Sequence, residues 1–440
     1  MIKYKRYERY KDSGVEWIGE IPEHWELRKI KHIGMLSAGG VNKKIEEGEE
    51  LFKSVHYMDV YRNSGKAIGN DDDYLVVSAT QSQAKNCTLR KGDVLFTSSS
   101  ETPDDIGHAV VISEDLEQTL YGYHLIRLRL DRDIPADYSY RKYMFNNHYI
   151  RSYFSSRTQG ITRYGLKYDD YKEAVVFIPP ISEQKTIANF LDQKTAVIDG
   201  LIADKEKLIE LLQEKRQAII TEAVTKGLNP NVRMKDSGIE WIGEIPEHWE
   251  VKKLKHVSNI TMGQSPKSEE CSYDEIGVPF LQGNAEFTNV HPIPKMYCNT
   301  ANKFSKVNDI LLSVRAPVGA INISDRVYGI GRGLCAITAK KVIMKYLWYS
   351  LNVSLEELFI KSKGSTFEAV TVTDVQNLLI ILPPKNEQDD IVNFLDKKTA
   401  EIDGLVIEIK KQIEKLKEYR QSLISEAVTG KIYVRDYAID

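Results

Sequence analysis

Two stretches of the chain carry apolar side chains at alternating spacings of three and four residues. In the first, Ile198, Leu201, Lys205, Leu208, Leu212, Lys215 and Ile219 share one heptad register; 204 residues later Ile402, Leu405, Ile409, Gln412, Leu416, Tyr419 and Leu423 share the same one. That is the pattern of a coiled-coil seam, and the nearest partner for each helix is the other copy. Pro179-Pro180 and Pro383-Pro384 block helix upstream, Ser182 and Asn386 stand where they can cap, and no proline follows in the first copy until Pro230. Long helices are therefore predicted over about 183–226 and 387–429. Asp192 with Gly200, and Asp396 with Gly404, predict a break near each start, because glycine costs roughly 1 kcal/mol inside a helix. Lys205 and Lys215 are read as residues whose stems bury while their heads reach water; a role in fixing register is the alternative.

Shorter apolar runs alternate with turn residues elsewhere. Tyr74-Leu75-Val76-Val77, Asp93-Val94-Leu95-Phe96, Ala109-Val110-Val111-Ile112 and Asp309-Ile310-Leu311-Leu312-Ser313-Val314 predict strands, and the stretches at about 137–154 and 340–361 predict helices. The class is α+β. The whole pattern is duplicated. Residues 11–32, KDSGVEWIGEIPEHWELRKIKH, return at 235–256 identical at 18 of 22 positions, and residues 179–225 return at 383–429 identical at 28 of 47. The offset falls from 224 to 204 between these blocks, so the second filling is 20 residues shorter, and residues 33–178 and 257–382 share little obvious sequence. Frames repeat while fillings differ. Two copies at this spacing suit a pseudo-dimer on one chain, with the twofold that a symmetric dimer would have.

Composition narrows the classes. A 42% hydrophobic and 28% charged chain of 440 residues implies two or three domains, and no apolar run is long enough to cross a bilayer. The start, Met1-Ile2-Lys3-Tyr4-Lys5-Arg6, lacks the features of a secretory signal, so a cytoplasmic location is expected. Cys87, Cys271, Cys298 and Cys335 lie far apart without a Cys-x-x-Cys pair, and reduced, packed thiols are expected at all of them. Net charge is only -3, so attraction to a polyanion must come from local basic faces.

Enzymatic motifs are scarce. Gly329-Ile330-Gly331-Arg332-Gly333 places its third glycine one residue early for a dinucleotide fingerprint, and Leu334-Cys335-Ala336-Ile337 reads as strand rather than helix. Pro103-Asp104-Asp105 with Glu183-Gln184-Lys185 only imitates a nuclease pattern, since the second element sits on a predicted helix of the repeated frame. His24, His248, His32 and His256 stand beside Trp and Lys without partners for metal or nucleophilic chemistry. No catalytic residue, metal site or cofactor loop is expected in this chain.

Basic residues are placed more suggestively. Tyr138 to Tyr168 holds Arg141, Lys142, Arg151, Arg157, Arg163 and Lys167, seven tyrosines and no acid. Such a face neutralises phosphate, and its arginines can read base edges; a merely solvated helix face is the plainer reading. The stretch contains Arg157-Thr158-Gln159-Gly160-Ile161-Thr162-Arg163, which at the 204 offset meets Lys361-Ser362-Lys363-Gly364-Ser365-Thr366-Phe367. Gly160 matches Gly364 and Thr162 matches Thr366, a glycine-hinged basic loop suited to close approach to phosphate. Ser98 and Ser99 in the first copy, and Gln282, Asn284 and Arg315 in the second, add polar loops as candidate base readers.

DSG[VI]EWIGEIPEHWE opening each half, and PP…EQ…I.NFLD.KTA.IDGL…RQ closing it, resemble the specificity subunits of type I restriction-modification systems over essentially the whole chain. The resemblance implies target-recognition domains over residues 1–180 and 231–382 and conserved long-helix regions over 181–230 and 383–440. The helices would pack as an antiparallel coiled coil between the domains. It implies one domain per half of a bipartite, asymmetric site on double-stranded DNA, and docking of two methyltransferase subunits and of restriction motor-nuclease subunits. S-adenosylmethionine, ATP and Mg2+ would sit on those partners, making the assembled complex a DNA adenine methyltransferase and ATP-dependent endonuclease. Two other classes compete. A coiled-coil scaffold would not need the acid-free Tyr138–Tyr168 face and would survive charge reversal there; an enzyme with an unrecognised site would act when purified alone.

Overall fold

A computed structural model describes residues 4–71, 73–240, 242–267, 270–362 and 370–437, with the side chains of 356–362 excepted. The chain divides into two compact units, one of residues 1–205 with 411–440 and the other of residues 206–410. These are not the consecutive blocks of the sequence: each unit takes the end of a long helix from the other copy.

In the first unit a five-stranded sheet runs in the order Gly34–Ser37, Leu125–Leu130, Val94–Thr97, Ala109–Ile112, Ala67–Ile68, with a four-stranded sheet of Leu75–Ala79, Glu50–Val55, Leu116–Tyr121, Thr88–Leu89. Val94–Thr97 is buried on both faces, which is why it reads as a continuous apolar run. Its period-2 alternation sends Val94 and Phe96 into the core shared with the helices and Leu95 into the core over the second sheet. In the second unit Ser258–Met262, Leu334–Ala339, Ile310–Ser313 and Ile321–Ile323 form a four-stranded sheet that repeats the order of the first four strands of the five-stranded one, beside a sheet of Cys271–Ser272, Met296–Cys298, Val278–Leu281 and Gly329–Ile330. Ile310 and Leu312 face the helices there, and Leu311 the other core. The two fillings thus share the plan of the helix-facing sheet, which their sequences hide, while their second sheets pair differently.

The frame residues clamp each filling to a long helix. Trp25 is fully buried and its Nε1 donates to Glu183 Oε2 at 2.8 Å. Glu183 lies in the first turn of the helix Ile181–Lys226. Trp249 does the same to Glu387 at 2.9 Å, in the first turn of Lys385–Val428. Gln184 Nε2 donates to Pro179 O at 2.7 Å, and Gln388 Nε2 to Pro383 O at 2.8 Å, so the repeated Glu-Gln pairs anchor helix starts. Both helices begin two residues earlier than predicted, with Ser182 and Asn386 inside them, and neither breaks. Gly200 and Gly404 are exposed with nothing near the position of a side chain, so the helix passes through them at glycine's entropic cost alone.

The seam lies one residue from the predicted one at alternate positions. Thr195, Ile198, Ile202 and Lys205 face inward in the first unit, and Ile209, Leu212, Arg216 and Ile219 in the second. Ile198, Leu212, Ile219, Ile402, Ile409, Leu416 and Leu423 keep their places, but Leu201 and Leu208 are 45% and 44% exposed, Leu405 53% and Tyr419 41%. Ile202, Ile209, Val406 and Ile413 take the inner positions instead, because the adjacent apolar residue is the one that meets the opposite helix. Lys205 Nζ donates to Gln412 Oε1 at 2.6 Å and Arg420 Nε to Asp199 Oδ1 at 2.8 Å within the first unit. Arg216 Nε donates to Asp403 Oδ1 at 3.1 Å within the second. Pairing is antiparallel: as positions rise from 199 to 205 on one helix, they fall from 420 to 412 on the other.

Cys271 and Cys298 face each other across paired strands and form a disulfide, with Cα atoms 4.4 Å apart, where reduced thiols were expected. Cys87 and Cys335 are free and buried. Among the described residues no helix is long and apolar enough to cross a membrane.

Candidate nucleic-acid interface

The basic Tyr138–Tyr168 stretch forms two helices, Tyr138–Met144 and His148–Arg157, followed by a loop. The structure sorts its six cations. Arg141 Nη1 donates to Gly92 O at 2.8 Å and its Nη2 to Ala136 O at 3.0 Å, closing the strand end beneath it. Lys142 Nζ pairs with Asp192 Oδ1 at 2.6 Å on the long helix. Arg151 lies 3.1 Å from His108 Nε2 and 3.6 Å from Asp105 Oδ1. Burial first and the Arg151 charge second hold His108 below its ordinary range, against the pull of Asp105. Burial alone would raise Asp105, but hydrogen bonds from Tyr61 and His108 bring it below the usual carboxylate value. These three cations are absorbed by contacts within the unit.

Arg157, Arg163 and Lys167 are exposed, with Gln159, Gly160 and Thr162 beside them. The loop they occupy is pinned at both ends. Gln159 and Gly165 exchange backbone hydrogen bonds of 3.0 and 2.9 Å, and Ser99–Ser100 pairs antiparallel with Tyr164–Gly165. Ser98 Oγ donates to His124 O at 2.9 Å, and Arg163 Nη2 to Ser99 Oγ at 3.3 Å. Gly160 has φ +137°, and a Cβ there would lie 2.0 Å from Arg163 O, so only glycine closes this loop. Ser98, Ser99, Gln159, Gly160, Thr162 and Arg163 are thereby gathered in one place, while Arg157 stands at the helix end over the Tyr153 ring at 5.5 Å. Ile161, 91% exposed at the tip, was not a candidate from sequence, and neither was His124. Burial, and then the charges of Arg163 and Lys43, hold His124 below its ordinary range.

Two tyrosines of the stretch hydrogen-bond to the long helices. Tyr140 hydroxyl donates to Val428 O at 3.4 Å on the second long helix, and Tyr143 donates to Asp192. In the second unit Tyr346 donates to Val224 O at 3.4 Å and Tyr349 to Asp396 Oδ1 at 2.9 Å. The same pair recurs at a different offset, which hid it.

In the second unit Ser313, at the end of Ile310–Ser313, donates its hydroxyl to Pro317 O at 2.9 Å and shapes a loop that exposes Arg315. Val314 N donates to Gly333 O at 2.9 Å, and Gly331 N to Leu281 O at 2.8 Å, drawing in the glycine segment and the Gln282-Gly283-Asn284 loop. A Cβ on Gly333 would lie 2.6 Å from Gln282 O, so these backbones touch. Arg332 is exposed between those glycines, and its N–H donates to Ser265 Oγ at 3.3 Å. Arg315, Arg332 and Gln282 therefore stand on adjoining loops; in the sequence Arg332 stands out only as part of the glycine motif. The glycine segment leads into strand Leu334–Ala339, so it presents no helix N-terminus to a pyrophosphate. Lys363, Gly364, Ser365 and Thr366 lie outside the described residues, as does the side chain of Lys361. The chain re-enters at Val370, whose N–H donates to Val314 O at 2.9 Å, as Leu166 N donates to Ser98 O at 3.2 Å in the first unit.

The geometry offers cationic and amide donors on glycine-closed loops in two unlike arrangements. A family model described as the type I restriction modification DNA specificity domain matches residues 22–211 and again 246–415. The chain is 31% identical over 442 residues to the putative type I restriction enzyme MjaX specificity subunit of Methanocaldococcus jannaschii, covering 99% of each. It is 22% identical to the type I restriction enzyme EcoKI specificity subunit of Escherichia coli, covering 94% of this chain and 90% of that one. A solved chain from work on complex assembly and conformational transition of the type I R-M system matches at a TM-score of 0.69 and 22% identity, over 94% of this chain and 99% of that one. That last likeness is one of fold.

Proposed function

The chain belongs to the type I restriction modification DNA specificity family, and from that premise we propose that each unit reads one half of a bipartite, asymmetric DNA site. The carrying observation is that one repeated frame, Trp25–Glu183 and Trp249–Glu387, holds two different loop clusters. Phosphate contacts fall to Arg157, Arg163 and Lys167 in the first unit and to Arg315 and Arg332 in the second. Gln159, Thr162, Gln282 and Asn284 supply donors and acceptors for base edges, and Ile161 an apolar tip for a thymine methyl or a base step. The chain itself is non-catalytic. Methyltransferase subunits, carrying S-adenosylmethionine, dock on the outward rows of the first long helix, where Val197 and Leu201 in one unit and Leu208 and Leu211 in the other leave apolar surface in water. ATP and Mg2+ belong to a motor-nuclease partner.

Exchange of residues 33–178 for the filling of another specificity subunit tests the reading. Sequencing of methylated sites should show one half of the recognised motif replaced and the other unchanged. A change in both halves would refute one-unit-per-half recognition.

A further inference from the structure

The two units solve the same closure with different amounts of chain. In the first, two segments converge on the helix start that carries Glu183: residues 4–10 from one end of the chain and 430–437 from the other. Arg435 Nη2 sits 2.6 Å from Glu183 Oε1, and the Tyr7 hydroxyl donates to Oε2 at 3.3 Å. The Tyr7 ring packs edge-on against Trp25 at 5.7 Å and Tyr433 at 5.2 Å, and Tyr4 covers Phe190 at 5.6 Å. Glu183 is 3% exposed and Phe190 fully buried as a result.

In the second unit a single continuous linker, residues 226–234, occupies this region; it contains no tyrosine, and among the described residues its Arg233 does not pair with Glu387. Glu387 accepts from His248 Nε2 at 2.7 Å and from Trp249, and among the described residues no other cation pairs with it. Its side chain is 33% exposed, and Phe394, the counterpart of Phe190, is 36% exposed. A cavity of about 550 Å³ lies there, lined by Lys226, Leu228, Val232, His248, Glu387 and Asp390. A carboxylate with two donors where its twin has four, beside a second acid and an open apolar wall, is a site built for a segment that this unit lacks.

We propose that this cavity docks a basic, aromatic polypeptide segment of a partner subunit, which sets an arginine on Glu387 as Arg435 sits on Glu183. The complementarity is internal: the first unit displays the filled form, and the Glu387 and Asp390 carboxylates of the second offer acceptors for the same arginine-tyrosine chemistry. The proposal rests on the proposed function only in calling the occupant a partner subunit.

The test titrates a fluorescein-labelled peptide of residues 430–437, Gly-Lys-Ile-Tyr-Val-Arg-Asp-Tyr, into the full chain and follows anisotropy. Saturable binding is expected, weakened at least tenfold by Glu387→Gln, which still accepts the Trp249 N–H, and likewise by Leu228→Trp, which fills the cavity without touching the carboxylate. Replacing the peptide's arginine by alanine should do the same, and Glu183→Gln should not. Absence of saturable binding, or affinity indifferent to both cavity variants, overturns the proposal, as does loss only with Glu183→Gln. Self-association of the chain that disappears in Arg435→Ala would assign the cavity to a second copy and overturn it too. No DNA enters the titration, so its failure leaves the reading of half-sites intact.

Discussion

Glu183 accepts the indole N–H of Trp25 at 2.8 Å while 3% exposed, tying a residue of the opening repeat to the first turn of a helix 158 positions away. His24, Arg435 and Tyr7 fill its remaining lone pairs. Glu183→Ala would strand a buried indole donor and unpair the half-exposed Arg435, so a loss of about 2–3 kcal/mol in urea unfolding is expected. Glu387→Ala, at the half-open twin, should cost about 1–2 kcal/mol. Equal losses at the two sites would contradict the account of their different burial.

The loop of the first unit makes a separate prediction. Arg157→Ala with Arg163→Ala should weaken binding to the cognate duplex and flatten the dependence of log K on log salt by about one unit per lost phosphate contact. Gly160→Ala should damage the same half-site while lowering the melting temperature of the unit by only a few degrees, since the turn that must open is exposed. An unaltered salt slope in the double variant would remove these arginines from the interface.

What the sequence discloses depends on how local its causes are. The repeated frames and the long helices were legible because proline stops, heptads and near-identity are local signals. The seam was half legible: Ile198, Leu212 and Ile219 were placed correctly, but choosing Ile202 over Leu201 requires knowing which neighbour meets the opposite helix. The basic stretch was legible as a charge pattern only. Nothing local says that Arg141 closes on Gly92, that Lys142 pairs with Asp192 or that Arg151 meets His108. Nor could the loops have been gathered from spacing, because Ser99 meets Gly165, and Val314 meets Gly333, only through the sheet. The bond between Cys271 and Cys298 is of the same kind: strand register, and not spacing, brings them together.

A pH dependence follows from His56, which is 5% exposed at the start of the helix Tyr57–Arg62. Burial, and then the Lys43 charge, hold its pKa down to about 4. The unfolded chain binds that proton near pH 6.5, so below this value protonation favours unfolding. The stability is therefore present above about pH 6.5 and is lost as pH falls to about 4. After allowance for solvent screening, the loss is on the order of 1–2 kcal/mol. In His56→Asn, which places a favoured capping residue there without a titrating ring, the unfolding free energy should fall less across this window. Parallel curves for the two proteins would exclude His56 as the cause.

The ends of the described chain meet where the second unit is continuous. Tyr433 N donates to Lys5 O at 2.8 Å, Lys5 Nζ pairs with Asp436 Oδ2 at 2.7 Å, and the Tyr4 and Tyr437 rings lie 5.1 Å apart. In the second unit the same task is done by an unbroken passage from Val224, which ends in the core, through exposed Leu228, Asn229, Pro230 and Asn231 to the strand Met234–Asp236. Closure in the first unit is thus held by side chains and one backbone bridge, without a covalent link. The repeated frame should tolerate the reverse arrangement. A chain whose ends are joined through a short glycine-serine linker and which is opened between Asn229 and Pro230 keeps every buried frame contact: Trp25 with Glu183, Trp249 with Glu387, and Ala223 and Val224 in their core. Loop-closure entropy changes only slowly with such lengths, so the permuted chain should fold, melt within a few degrees of the parent and bind the same DNA with unchanged affinity. Loss of one unit's melting transition, with the other retained, would show that the linker at 226–234 is required for closure of the second unit.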